Sequence, residues 1–196
     1  MSSSLIGKQA PNFTAQAVLN GEETMVSLKD FLGKYVVLFF YPKDFTYVCP
    51  TELHAFQDAL AEFHERGAEV LGCSVDDIET HKRWLNTERK CGGISGISYP
   101  LLSDTVKTIS EDYGVLNIEE GLSFRGVFLI DRSGIIRHAV INDLPIGRSI
   151  EEELRTLDAL IFFETHGLVC PAEWRTGERG MVPSEAGLQS YFETLD

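Results

Sequence analysis

A chain of 196 residues, 43% apolar and 24% charged, is long enough to bury a core without disulfide staples and too apolar for disorder. Its 17 Lys and Arg against 30 Asp and Glu leave a net charge of −13, which argues against nucleic acid or an anionic membrane as partner. The start, Met1-Ser2-Ser3-Ser4-Leu5-Ile6-Gly7-Lys8, lacks the basic and apolar regions of a secretory signal, and the longest strongly apolar run, Tyr35 to Tyr41, is far short of the roughly 18 residues that span a bilayer; a soluble cytoplasmic protein is expected.

Strand and helix signals alternate along the chain. Tyr35 to Tyr41 is short, β-branched and aromatic, bounded by Gly33-Lys34 and Pro42, and reads as a buried central strand. From Cys49 the apolar spacing becomes Leu53, Phe56, Leu60, Phe63, one face of a helix that ends before Gly67. Val70 to Val75 is the next strand, with Leu71, Cys73 and Val75 on one face. Asp76 or Asp77 then caps a helix that turns Ile78, His81, Trp84 and Leu85 inward. Ser103 caps another, through Val106, Ile109 and Tyr113, that stops at Gly114.

Gly126 to Asp131 reads as a strand. The turn Arg132-Ser133-Gly134 leads it into a second, Ile135 to Ile141, to make a hairpin. Ser149 and Glu152 form a capping box for a helix with Ile150, Leu154, Leu157 and Ile161 on its apolar face, closing at His166-Gly167. The expected fold class is α/β, with helices over a mixed sheet whose last hairpin is antiparallel. Residues 1–167 are expected to form the main domain. Residues 168–196, rich in Pro and Gly with one short helical stretch near Leu188 to Leu195, read as a C-terminal arm.

Cys49, Cys73, Cys91 and Cys170 show neither C-x-x-C nor zinc-ligand spacing, so neither a metal nor a structural disulfide framework is expected. Cys49 alone has an activating address. It stands where the strand gives way to a helix, with Pro50 at the first helical position. Cysteine is a poor cap, whereas the free N–H groups and positive dipole end of a helix favour a thiolate. Thr46, three residues back, can offer its hydroxyl to the sulfur or to a bound oxygen. Cys73 reads as an inert core thiol and Cys91 as an exposed bystander. The histidines, including His54 and His81, show no ligand spacing and are assigned packing or surface roles.

The stretch Pro42-Lys43-Asp44-Phe45-Thr46-Tyr47-Val48-Cys49-Pro50 resembles the P-x-x-x-T-x-x-C active-site motif of the peroxiredoxins. Ser123 to Asp131, Asn142 to Ser149, and Gly167-Leu168-Val169-Cys170-Pro171-Ala172-Glu173-Trp174 agree in order, closest to the typical 2-Cys subgroup of alkyl hydroperoxide reductases and thioredoxin peroxidases. The resemblance implies a thioredoxin-like fold and a peroxidase that needs no cofactor, reducing hydrogen peroxide and organic hydroperoxides. It makes Cys49 the peroxidatic cysteine, Thr46, Pro42 and Arg125 its pocket partners, and Glu52 and Arg148 a supporting network. It makes Cys170 the resolving cysteine, acting from the partner subunit of a homodimer, with five dimers forming a ring. The reductant it implies is a thioredoxin-like protein or a flavoprotein.

The residue types suit that chemistry. A thiolate attacks one oxygen of the peroxide while negative charge develops on the other, which a guanidinium stabilises. The product, a Cys49 sulfenic acid, condenses with a second thiol to a disulfide. Overoxidation-prone members carry a G-G-L-G loop and a terminal Y-F pair. Tyr191-Phe192 matches the pair, whereas the loop reads Gly92-Gly93-Ile94-Ser95, and a serine disfavours positive φ. A dithiol oxidoreductase would show C-x-x-C where Cys49 is followed by Pro50-Thr51-Glu52. A one-cysteine peroxidase and an oligomeric holdase stay open on sequence alone.

Overall fold

The structure is a computed structural model that describes residues 4–194, so Met1 to Ser3 and the expected helical residue Leu195 lie outside it. It opens with a hairpin that the sequence reading omits, β1 (Thr14–Leu19) and β2 (Glu22–Ser27). Asn20 and Gly21 join them at φ 52° and 82°, and two central residues at positive φ match the twist of the paired strands. The alternation is shallow, because alanines supply much of the buried face, and Asn-Gly is the signal that reveals the turn.

Strand β3 (Tyr35–Phe40) is buried at every position, as a run apolar on both faces requires. After the loop 41–48, α1 (Cys49–Asp58) and α2 (Leu60–Glu65) carry the expected apolar face. They are two helices rather than one, because Ala59 leaves helical geometry at φ −94°, ψ 1°. Leu53, Phe56, Leu60 and Phe63 keep one face across the break, so their spacing conceals it.

Strand β4 (Ala68–Ser74) follows, then α3 (Ile78–Leu85), in which Asp77 caps the start by accepting from the Thr80 N–H at 2.8 Å. That cap is worth about 1 kcal/mol. After β5 (Leu101–Ser103), the short helix α4 (Thr108–Asp112) is not capped by Ser103, which belongs to the strand. Asp104 does the work instead, accepting from the N–H groups of Ile109 and Ser110 at 3.2 and 2.8 Å. Ile109 and Tyr113 are buried, but Val106 is exposed.

A two-residue pair, β6 (Leu116–Asn117) with β7 (Leu122–Ser123), precedes the expected hairpin of β8 (Arg125–Ile130) and β9 (Ile136–Asn142). The main sheet has seven strands in the order β2-β1-β5-β4-β3-β8-β9. β3, β4 and β5 run parallel, and the other pairings are antiparallel, giving the expected mixed sheet. Val36, Leu38 and Phe40 face one core with Leu71, Cys73, Tyr113 and Phe128. Phe39 points to the other side, where its ring stacks on Phe56 of α1 with 4.2 Å between centroids. Such a pair adds about 1 kcal/mol to the burial of the two rings and fixes α1 on the sheet.

Two compact units divide the chain, residues 1–150 and 151–196. The second holds nearly all of the helix α5 (Ile150–His166), whose chain turns at Gly167 with φ 67°. Within it Phe162 packs on Trp174 at 4.7 Å, and Val169 and Met181 exchange backbone hydrogen bonds at 2.8 and 2.9 Å. The last helix, α6 (Glu185–Phe192), begins earlier than expected, because Ser184 caps it by accepting from the Gly187 N–H at 3.1 Å.

Candidate active site

The antiparallel register of β3 and β8 sets Phe39 opposite Val127, so Arg125, the first residue of β8, lies at the end of the sheet where β3 delivers the chain to α1. β9 ends there too, with Asn142 paired to Arg125. The loop 41–48, the start of α1, Arg125 and the segment after β9 therefore converge at the carboxyl end of a parallel strand, where open α/β sheets build their sites.

Cys49 is the first residue of α1, with Val48 as cap and Pro50 following. Its side chain is fully buried, and its sulfur lies 3.3 Å from Nη1 of Arg125. The N–H groups of Thr51 and Glu52 go to the Val48 carbonyl at 3.0 and 3.3 Å, and Pro50 has none. Thr51 and Glu52 thus spend their N–H groups within the helix start, and the donor seen at the sulfur is the Arg125 guanidinium. A charged donor facing the sulfur stabilises its anion and any negative charge that forms beside it.

Arg125 is itself held on two sides. Nη1 donates to Glu52 Oε2 at 2.6 Å, and Nε donates to the Leu144 carbonyl at 2.6 Å. Glu52 also accepts from Arg148, at 2.9 Å from Nε to Oε1 and 2.8 Å from Nη2 to Oε2. The Arg148 side chain, 1% exposed, spends Nη1 on the carbonyls of Phe40 and Gly126 at 2.6 and 3.0 Å. Its guanidinium also lies 5.1 Å from the Phe39 ring centroid. One carboxylate between two guanidiniums makes a buried charged cluster in which removing one member leaves the others uncompensated. Arg148 thereby ties β3, β8 and α1 together around the sulfur.

Pro42 is buried at the head of the loop, and Thr46 is half-buried in it. The Thr46 hydroxyl donates to the Lys43 carbonyl at 2.9 Å, which leaves its lone pairs to accept from a peroxide. Cys49, Glu52, Arg125 and Arg148 are therefore drawn into one cluster. Thr46 and Pro42 lie on the adjoining loop.

Cys170 belongs to the other unit. It is a half-buried free thiol whose sulfur donates to the Ala159 carbonyl at 3.5 Å. Burial pushes its pKa up, partly offset by the charge of Arg155. Cys73 is fully buried on β4, and burial, with a smaller push from the Asp104 carboxylate, holds its thiol well above the usual range. Cys91 is exposed. Alkylation of the folded protein at neutral pH is expected to label Cys91 at least about a hundredfold faster than Cys73, read by peptide mass after timed quenching. Equal rates would mean that the β4 thiol is not sealed.

The serine at 95 carries no backbone penalty. Positive φ falls instead on Gly92 at 78° and Gly96 at 97°. Gly93 is the demanding position, since a Cβ there would strike the Thr87 carbonyl.

The hydrogen bonds among four polar residues in and beside the loop escape the sequence reading. His81 Nδ1 lies 2.7 Å from Asp44 Oδ2, and the Tyr41 hydroxyl donates to Asp44 Oδ1 at 2.9 Å. Asp76 accepts from the Asp44 N–H at 2.8 Å. The clue was available: a histidine on the inward face of a helix needs a buried partner, and Asp44 sits inside the motif itself. Among the described residues no group of three or more His, Cys, Asp or Glu side chains is placed to hold a metal ion. No helix there is long and apolar enough to cross a membrane.

Residues 6–139 match the AhpC/TSA family, and residues 159–194 match the C-terminal domain of 1-Cys peroxiredoxin. The chain is 50% identical over 190 residues to a thioredoxin peroxidase of Echinococcus granulosus, covering 97% of this chain and 98% of that protein. It is 50% identical over 187 residues to peroxiredoxin-2 of Mus musculus, covering 95% and 94%. Among solved structures, the reduced 2-Cys peroxiredoxin of Plasmodium vivax superposes with a TM-score of 0.95 at 48% identity, over 97% of this chain and all of that one.

Proposed function

Because the chain belongs to the AhpC/TSA family, the peroxiredoxins, and is a thiol-dependent peroxidase, we propose that Cys49 is the thiol that meets the peroxide and Cys170 of a second chain the thiol that resolves it. The observation that carries this reading is the Arg125 guanidinium 3.3 Å from the buried Cys49 sulfur, itself fixed by Glu52 and Leu144.

The reaction follows from that arrangement. The Cys49 thiolate attacks one peroxide oxygen, forming the S–O bond as the O–O bond breaks, and the other oxygen leaves as water or an alcohol after taking a proton. Arg125 faces the charge that builds up, and Thr46 orients the peroxide by accepting from its O–H. The Cys49 sulfenic acid then loses water to a thiol, giving a disulfide. Cys49 is fully buried, so the first turn of α1 has to open before a second sulfur can reach it.

Cys170 is the half-buried free thiol of the arm, and the family resemblance supports its pairing across a homodimer, with five dimers in a ring. The name of the Echinococcus relative supports a thioredoxin-type reductant, which would find the disulfide in the arm. Hydrogen peroxide and organic hydroperoxides both fit the mechanism, since only the O–O bond takes part.

The test uses one equivalent of hydrogen peroxide. The wild-type chain is expected to give a disulfide-linked dimer on a non-reducing gel, and Cys170→Ser none, while still consuming its first equivalent at the wild-type rate. A linked dimer persisting in Cys170→Ser would remove Cys170 from its role. Since burial raises the Cys170 pKa, disulfide formation should also quicken as pH rises, about tenfold per unit while the thiol stays mostly protonated.

A further inference from the structure

The apolar face of α1 lies on the sheet, and a second set of bonds fastens the helix from residue 53 onward. The buried Tyr99 hydroxyl, just ahead of β5, donates to the Leu53 carbonyl at 2.8 Å. One residue on, His54 Nε2 lies 3.0 Å from the Gly93 carbonyl, which only accepts, so the nitrogen donates. Gln57 is gripped twice by Ser98. Its Oε1 accepts from the Ser98 N–H at 2.8 Å, and its Nε2 donates to Ser98 Oγ at 3.1 Å. The segment 93–99 thus reaches residues 53, 54 and 57 of the helix.

That segment is itself fixed. Trp84 Nε1 donates to the Gly92 carbonyl at 2.8 Å, and Gly93 is pressed against Thr87. The Tyr99 ring stands edge-on to Phe39 of β3 with 5.8 Å between centroids. Burial holds the Tyr99 pKa well above its ordinary value, so the hydroxyl stays a donor. The first turn is held differently, by Arg125 at the Cys49 sulfur and by Arg125 and Arg148 at Glu52. A helical N–H points four residues back, so opening residues 49–52 strips the acceptors from the N–H groups of residues 53–56 and no others. Any further opening would break the Tyr99 bond, then those of His54 and Gln57.

We propose that Tyr99 and Gln57 are positioning residues that set where α1 stops opening: anchored at Leu53, the helix yields one turn and then returns Cys49 to Arg125. The consequence is a choice between two fates. In the closed site the Cys49 sulfenic acid meets a second hydrogen peroxide, which gives one oxygen to the sulfur and leaves as water, forming a sulfinic acid. In the open site it loses water to the Cys170 thiol and forms the disulfide. By favouring closure, the two anchors raise the sulfinic share and slow the disulfide, while the first oxidation is untouched.

The inference rests on Cys49 being the reacting thiol and Cys170 its resolver. The experiment compares the full wild-type chain with Tyr99→Phe, which keeps the ring, and with Gln57→Ala, which removes a half-buried side chain. Stopped-flow follows the first oxidation and disulfide formation, and intact mass follows the sulfinic product as hydrogen peroxide rises. Tyr99→Phe is expected to keep the first oxidation within about twofold and to form the disulfide about three- to tenfold faster, as the loss of one hydrogen bond implies. It should need more peroxide, by the same factor, for the same sulfinic share. Gln57→Ala should move the same way, and decides alone if Tyr99→Phe does not fold. Hydrogen exchange of the wild-type chain, read residue by residue, should show the amides of residues 53–56 exchanging at least about tenfold faster than that of Gln57. Equal exchange across residues 53–57, or disulfide and sulfinic yields unchanged in the folded variants, would overturn the proposal. Unchanged yields with Cys49 oxidised reject this inference only, whereas Cys49 left unoxidised rejects the reading beneath it.

Discussion

Arg125→Met is expected to lower the rate constant for peroxide by about 100–1000-fold, the usual cost of deleting a donor aimed at developing charge. Methionine keeps much of the side-chain volume but removes the 3.3 Å donor to the Cys49 sulfur and the 2.6 Å bond to the Leu144 carbonyl. Glu52 still keeps Arg148, so the fold should lose only about 1–3 kcal/mol, from the acceptors left short. Arg125→Lys separates charge from shape, because an ammonium cannot serve Glu52, Leu144 and the sulfur at once. It should recover part of the rate but not all. Stopped-flow oxidation at several peroxide concentrations checks both variants. A loss below about threefold for Arg125→Met would show that the guanidinium does not assist the step.

Glu52→Gln should act on stability as much as on rate. Oε2 of Glu52 accepts from Arg125 and Arg148 at 2.6 and 2.8 Å, and an amide NH₂ in its place would point donors at donors. Two guanidiniums with 5% and 1% of their side chains exposed would then share no anion. Breaking a buried cluster in this way costs about 3–5 kcal/mol. For a chain of this size that is a fall in Tm of about 10 °C, together with a peroxide rate lowered by the displaced Arg125. By contrast Glu151→Gln, which removes an exposed partner of Arg175, should shift Tm by less than about 2 °C. Scanning calorimetry on the two variants decides. Similar small shifts in both would mean that the cluster does not hold the site together.

The parts of this molecule that were legible in its sequence are those where one physical rule acts alone. Tyr35 to Phe40 is apolar on both faces and lies at the centre of the sheet. Asp77 stands before an inward-facing pattern and caps it. Where two rules compete, the reading slips. Ser103 looks like a cap, but its residue is needed in β5, and Asp104 supplies the two acceptors. The hairpin at Asn20-Gly21 is hidden by small residues on its buried face.

The site divides in the same manner. Cys49 has an address that residue types and spacing reveal. Glu52, Arg125 and Arg148 do not, since such residues are surface groups by default, and only their resemblance to a family motif singles them out. Their meaning comes from long-range register: the pairing of β8 with β3, and of β9 with β8, carries residues 52, 125 and 148 to one end of the sheet. Asp44 and His81 show the remaining gap, because a buried hydrogen bond between residues 37 positions apart leaves no periodic trace.

The most direct measurement of the central claim is peroxide consumption by Cys49→Ser beside the wild-type chain, with excess reductant and with calorimetry to show that both are folded. The account predicts that Cys49→Ser loses at least about a thousandfold of the peroxide rate, as expected when a nucleophile is removed, with Cys73, Cys91 and Cys170 all still present. A folded Cys49→Ser chain that consumes peroxide at close to the wild-type rate would contradict it.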